Sequence, residues 1–294
     1  MNTKAIFYII IASFCYASFP PINKYLLNRG VTPIELILAL NVLMFPVAFS
    51  YVISKKEQVK KITKLNWKYI FSLGLLATAL GRALSIWGQQ YTLAMNNAVL
   101  MKLTVVIVPL IAYFMLKERL PRQKYIAMVV AFFGAFLLIT GGSLLIPYPG
   151  DIVFLIVAIM ISFTNVFAKI VSKDVDSTLL SMLRLSIGSG LLFLFIFADG
   201  FKFISVLISY WPIIIFESIL GISMIIALYA GIKLSTASEA TALFLLSAPI
   251  SFVLSYFILG ETMSTVSFFG AIMLLISCYF IAKKTKILSG ETVE

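Results

Sequence analysis

The chain of 294 residues has no histidine, two cysteines and only 12% charged residues. Each shortage excludes something. Cys15 and Cys278 lie near opposite ends of the chain in apolar runs, so neither a metal-ligand cluster nor a disulfide framework is expected, and both read as small buried hydrophobes. No metal and no cofactor is expected. Neither paired carboxylates at metal spacing nor a Ser–His or Ser–Lys arrangement supports an intramembrane enzyme. The lack of a Walker A motif excludes a self-contained ATP-driven pump. No segment alternates with period two, which excludes a β-barrel. A soluble chain carries roughly 25% charged residues, and here they are so few that no soluble domain fits.

What fills the chain instead is apolar. Hydrophobic residues make up 61% of it, and its mean hydropathy is +1.05. A helix needs about 20 apolar residues to cross a hydrocarbon core. Ten such segments can be marked, near 5–27, 33–53, 67–88, 95–116, 123–142, 152–171, 177–198, 209–230, 238–258 and 264–282. The first of them has no small-residue cleavage site before Pro20-Pro21 and reads as a span, not a signal peptide. The expected fold is therefore all-α, a polytopic membrane protein of ten transmembrane helices, with the lipid bilayer as its surroundings.

The net charge of +11 would suggest nucleic acid in a soluble protein, but here its position decides. With the N-terminus in the cytoplasm, sixteen lysines and arginines fall on the inner side and only Arg29 and Lys202 on the outer. That bias places both termini in the cytoplasm of a multi-pass protein of the cell (inner or plasma) membrane and argues against nucleic-acid binding.

The chain also repeats. Tyr113-Phe114-Met115-Leu116-Lys117-Glu118 matches Tyr256-Phe257-Ile258-Leu259-Gly260-Glu261. Each stretch follows an apolar run with a proline, Pro109 or Pro249, and precedes another apolar segment. A weaker match joins Ala17-Ser18-Phe19 through Lys24 to Ser162-Phe163-Thr164-Asn165 through Lys169. Residues 1–142 and 150–286 then form two five-helix repeats. Because five is odd, the second enters the membrane from the opposite side. Inverted repeats point to a secondary transporter with its site between the halves.

The paired Leu-x-Glu motifs, Leu116-Lys117-Glu118 and Leu259-Gly260-Glu261, with their preceding prolines and following Gly-containing spans, resemble the EamA-type branch of the drug/metabolite transporter superfamily over essentially the whole chain. The proline of the first half, Pro109, stands three residues nearer its Glu than Val106, which holds the place matching Pro249. The resemblance implies a transporter of small metabolites such as amino acids, nucleobases or organic anions, often an exporter working by alternating access. It also implies a central cavity lined by the first, third, fourth, sixth, eighth and ninth spans.

Charges inside a span are rare and cost roughly 2.5–3.5 kcal/mol on insertion scales. At 1.5 Å per residue, Arg82, Lys102 and Glu217 are expected at one level in the outer half. In one arrangement Glu217 pairs with one cation while the other holds a substrate carboxylate or phosphate. In another, Glu217 is the protonatable group that couples transport to the proton gradient. In a third, an Arg–Glu pair simply joins helices. Tyr16, Asn23, Trp87, Asn97, Asn165 and Tyr229 could complete a substrate pocket. Lys24, Lys169 and Glu239 are coupling or gating candidates alongside Glu217, although lysines near span ends can snorkel and Glu239 suits a helix first turn. Arg184 reads as structural, and Glu118 and Glu261 as structural or gating residues. The rival function is a multidrug exporter of cationic compounds, which would want an anionic, aromatic-walled pocket. Either a monomer or a homodimer fits the sequence.

Overall fold

The computed structural model describes residues 1–283 except 90, 93, 196–199 and 261–263, and leaves out the side chains of 86, 89, 94, 95, 97 and 195. The described residues are helical and contain no strand. Eight helical stretches are long and apolar enough to cross a membrane: Thr3–Leu27, Pro33–Ser54, Ala98–Leu116, Arg122–Thr140, Asp151–Val171, Trp211–Leu234, Ala237–Leu259 and Thr265–Ala282. Two of the ten expected segments fall outside that set for visible reasons. Residues 64–89 run as helix, but their ends carry Lys64, Lys68 and Arg82 and their middle, Leu73–Leu80, is a π-helix. Ser177–Leu192 is apolar but shorter.

Several of these helices are broken, and the sequence explains the breaks. In the first, α1 (Thr3–Ala17) gives way to α2 (Phe19–Leu27) at Ser18, where Pro20 and Pro21 occupy the first turn of the new helix. Two consecutive prolines remove two N–H donors, so the ladder cannot run through. In the stretch 94–116, α-helix stops at Lys102 and resumes at Thr104. In Ala237–Leu259 it stops at Leu243, passes through the 3-10 turn Phe244–Leu246, and resumes at Ser247. Thr104 and Ser247 are as far apart in sequence as Lys117 and Gly260. Both halves therefore break a helix at the corresponding place. Both of these helices end on a left-handed residue, Lys117 at φ 54° and Gly260 at φ 70°, the usual geometry of a helix stop.

Contacts between helices also come in exchanged pairs. Thr3–Ala17 packs on Trp211–Leu234, as Asp151–Val171 packs on the stretch 64–89. Thr3–Ala17 packs on Ser247–Leu259, as Asp151–Val171 packs on Thr104–Leu116. Pro33–Ser54 packs on Ser177–Leu192, and Arg122–Thr140 on Thr265–Ala282. Large apolar side chains such as Phe7, Phe114, Ile208 and Phe257 stand exposed around the outside. On a soluble protein such a surface would aggregate; against lipid chains it is at home.

Small residues set the closest contacts. A Cβ built on Gly270 would lie 2.5 Å from the Leu138 nitrogen and 2.8 Å from the Gly134 oxygen, both backbone atoms. One on Gly188 would lie 2.2 Å from Cβ of Thr78. Helices in lipid associate by such packing, since there is no hydrophobic drive between them. We predict that Gly270→Ala lowers the thermal midpoint of the detergent-solubilised protein. Gly190→Ala, whose added methyl would meet only Phe45 at 3.7 Å, leaves the midpoint unchanged or raises it.

Candidate functional site

Tyr16 occupies the last full turn of α1 before the proline break. Its ring meets Phe244, in the 3-10 break of Ala237–Leu259, at 5.1 Å between centroids, and Phe19 edge-on at 5.9 Å. The Lys102 ammonium, at the break of 94–116, stands 5.8 Å from the same ring. Three interruptions thus converge on one tyrosine. Among the described residues Lys102 has no carboxylate partner. Phe19 continues the wall toward the helix Trp211–Leu234, where it comes with Met44 over Gly221. Glu217 lies one helical turn before Gly221.

Arg82 and Glu217 lie within electrostatic reach of each other, and Arg184 lies within reach of Arg82. Lys102 differs from the expected common grouping. It sits with Tyr16, and Glu217 interacts with Arg82 alone among the cations.

The arginines are held by neutral partners. Arg82 Nη1 donates to Oδ1 of Asn41 at 3.2 Å, and the same oxygen accepts from Ser189 Oγ at 2.7 Å. Arg184 Nε donates to Thr78 Oγ1 at 3.1 Å and Nη1 to the Tyr229 hydroxyl at 2.8 Å. Its guanidinium lies 5.4 Å from the centre of the Tyr229 ring. Glu217 is 3% exposed, and its Oε2 is sealed without a hydrogen-bond partner, as is Asn23 Oδ1.

The remaining candidates separate by place. Asn165 Nδ2 donates to Thr241 Oγ1 at 3.3 Å, tying Asp151–Val171 to the helix that starts at Ala237. Trp87 is half exposed and packs on Tyr91. The Asn97 side chain and Glu261 lie outside the described residues. Lys24 is exposed at the end of α2.

A second polar cluster grips the junction between Trp211–Leu234 and Ala237–Leu259. Glu118 Oε1 accepts from the Ala237 nitrogen and Oε2 from Ser238 Oγ, both at 3.1 Å. Lys169 donates to the carbonyls of Ile232 and Lys233 at 3.0 Å and to that of Ser235. Lys124 and Glu239 form a buried ion pair. A carboxylate at a helix start and an ammonium at a helix end each meet the favourable pole of the dipole. At another connection, Asp151 accepts from Thr92 Oγ1, from Asn96 Nδ2 at 2.8 Å and from the Tyr148 nitrogen at 2.9 Å. Sequence inspection passed over Lys124, Asp151, Asn41, Thr78, Ser189 and Phe244. Asn41 alone carried a signal, as the one amide inside the apolar run Pro33–Ser54.

Two cavities open on the surface. One, of about 370 Å³, is apolar and lined by Ile22, Tyr25, Pro212, Ile213, Phe216 and Ile258. The other, of about 220 Å³, lies among Lys61, Asn66, Asp174 and Asp176. Neither contains the buried charges.

The sequence model of the EamA-like transporter family matches the chain twice, over residues 3–140 and 148–283. The chain belongs to that family. An uncharacterized transporter of Methanothermobacter thermautotrophicus is similar to this EamA-like transporter, at 23% identity over 238 residues, which span 77% of this chain and 68% of the relative. A protein of known crystal structure superposes with a TM-score of 0.77 at 13% identity, covering 96% of this chain and 97% of its own, which establishes a shared fold. The two family matches meet near the Asp151 cluster, between Arg122–Thr140 and Asp151–Val171. The EamA-like transporter therefore holds one repeat to the next there by side-chain hydrogen bonds.

For the Lys124–Glu239 pair, removing one member leaves an uncompensated buried charge, which costs about 3–5 kcal/mol. Glu239→Gln or Lys124→Met alone should therefore lower thermal stability strongly. The double variant should regain much of the loss, as a double-mutant cycle in detergent would show.

Proposed function

We propose that this transporter carries a small anionic or zwitterionic metabolite across the cell membrane by alternating access, with Lys102 and Arg82 receiving its anionic group. The single observation that carries the proposal is the surplus of intramembrane cations. Lys102 has no carboxylate partner and Arg82 shares only Glu217. An unneutralised charge at that depth is costly, and an anionic cargo removes the cost. Tyr16, Phe19 and Phe244 supply the apolar wall, and the interrupted helices meet there, as discontinuous helices do at transporter sites. The surplus also disfavours the rival cargo, a cationic drug, since like charges repel strongly where water is excluded. The family resemblance points to export.

The same proposal takes the chain as ten crossings in two inverted halves, 1–142 and 150–286, with both termini cytoplasmic. The exchanged helix contacts and the matched breaks support it. Glu217 is the proposed proton-coupling group, supported by its sealed, unbonded oxygen. The clusters at Glu118, Glu239 and Lys169 are proposed to hold one end closed.

Two experiments test these points. In proteoliposomes, Lys102→Met and Arg82→Gln should each weaken binding of an anionic substrate by about tenfold or more, the worth of a charge-assisted hydrogen bond. Full transport in both variants at equal expression would sink the anion site. For topology, cysteines introduced at Arg29 and Lys202 should react with an impermeant thiol reagent added outside to whole cells, and one at Lys117 should not. The reverse pattern would overturn the orientation.

A further inference from the structure

We infer that Arg184 is a third substrate-binding cation and that the site takes a dianion, an organic molecule with either two carboxylates or a phosphate monoester. The inference rests on the anion-site proposal and deepens it.

Among the described residues, the middle turns of the spans carry three cations, Arg82, Lys102 and Arg184, against one carboxylate, Glu217. The surplus is two positive charges. A structural arginine in a membrane is ordinarily answered by a carboxylate. Arg184 is answered by two neutral hydroxyls, Thr78 and Tyr229, on two different helices. Those bonds fix Nε and Nη1 and leave Nη2 without a protein partner. Arg82 likewise commits only Nη1, to Asn41. Arg82, Lys102 and Arg184 are each only partly buried, and none of the uncommitted nitrogens of either guanidinium, nor Nζ of Lys102, is among the sealed, unpartnered atoms of the protein. The two guanidinium groups also repel each other. Glu217 relieves Arg82 alone.

Neutral anchors that hold two mutually repelling guanidinium groups with donors to spare fit an anion receptor. Arginine's planar fork suits carboxylate and phosphate oxygens alike. A monoanion would leave one charge unanswered, whereas a dianion cancels the surplus. Tyr229 then serves as a positioning residue, since it acts through Arg184.

The test uses the full-length protein in proteoliposomes. Succinate, glycerol 3-phosphate and butyrate compete against one another for binding, read by thermal shift and by inhibition of counterflow. At least one dianion should bind tenfold or more tightly than butyrate. Preference for succinate or for glycerol 3-phosphate identifies which kind of dianion is taken. Arg184→Gln should erase the preference, and Arg184→Lys should retain part of it. Equal binding of butyrate and both dianions to the unaltered protein overturns the inference whether or not any variant folds, and leaves the anion-site proposal standing. Absence of binding by all three overturns both. An unchanged dianion preference in a folded Arg184→Gln protein removes Arg184 from the site.

Discussion

Inside hydrocarbon a peptide group has no water to turn to, so every break in a helix must be answered by the protein itself. This constraint organises the molecule. Most of the chain meets it by running uninterrupted helices. The departures are few: the Pro20-Pro21 break, the π-helix Leu73–Leu80, and the interruptions after Lys102 and Leu243. Three of these meet at Tyr16, through its contacts with Phe19, Lys102 and Phe244. The π-helix holds Thr78 and leads into Arg82. The places where the backbone pays a structural cost are the places where the polar side chains gather.

The polar groups follow two regimes. Lys124 with Glu239, Glu118 with the start at Ala237, and Lys169 with the carbonyls of Ile232, Lys233 and Ser235 are each matched in charge or in dipole. Such matching offsets desolvation and fixes the junction. Arg82, Arg184 and Lys102 are held by neutral groups or by a ring face and keep donors to spare. The contrast separates a cluster that joins parts of the protein from one suited to a visitor.

Much of the fold was legible in the sequence, because hydrophobic runs mark the apolar helices and the doubled Leu-x-Glu marks the two repeats. The ends of helices were visible too, in Pro33, Lys117 and Gly260. Less legible were the consequences of breaks. Counting residues along an ideal helix places Lys102 at the level of Arg82 and Glu217 but does not show the ring that its ammonium faces, Tyr16. Ring partners such as Phe244 and neutral partners such as Asn41, Thr78 and Ser189 give no periodic signal, because their role depends on which helix faces them. The three carbonyl partners of Lys169, at Ile232, Lys233 and Ser235, likewise give no signal in the sequence.

The seam between Arg122–Thr140 and Thr265–Ala282 has a mechanical side. Gly134 and Gly270 bring two backbones into direct contact, with each glycine's missing side chain occupied by the other helix's peptide atoms. A pair joined in this way cannot slide or roll without driving peptide planes into one another. The two helices therefore behave as a single beam, one drawn from each repeat. The breaks at Ser18, Lys102 and Leu243 all lie in other helices.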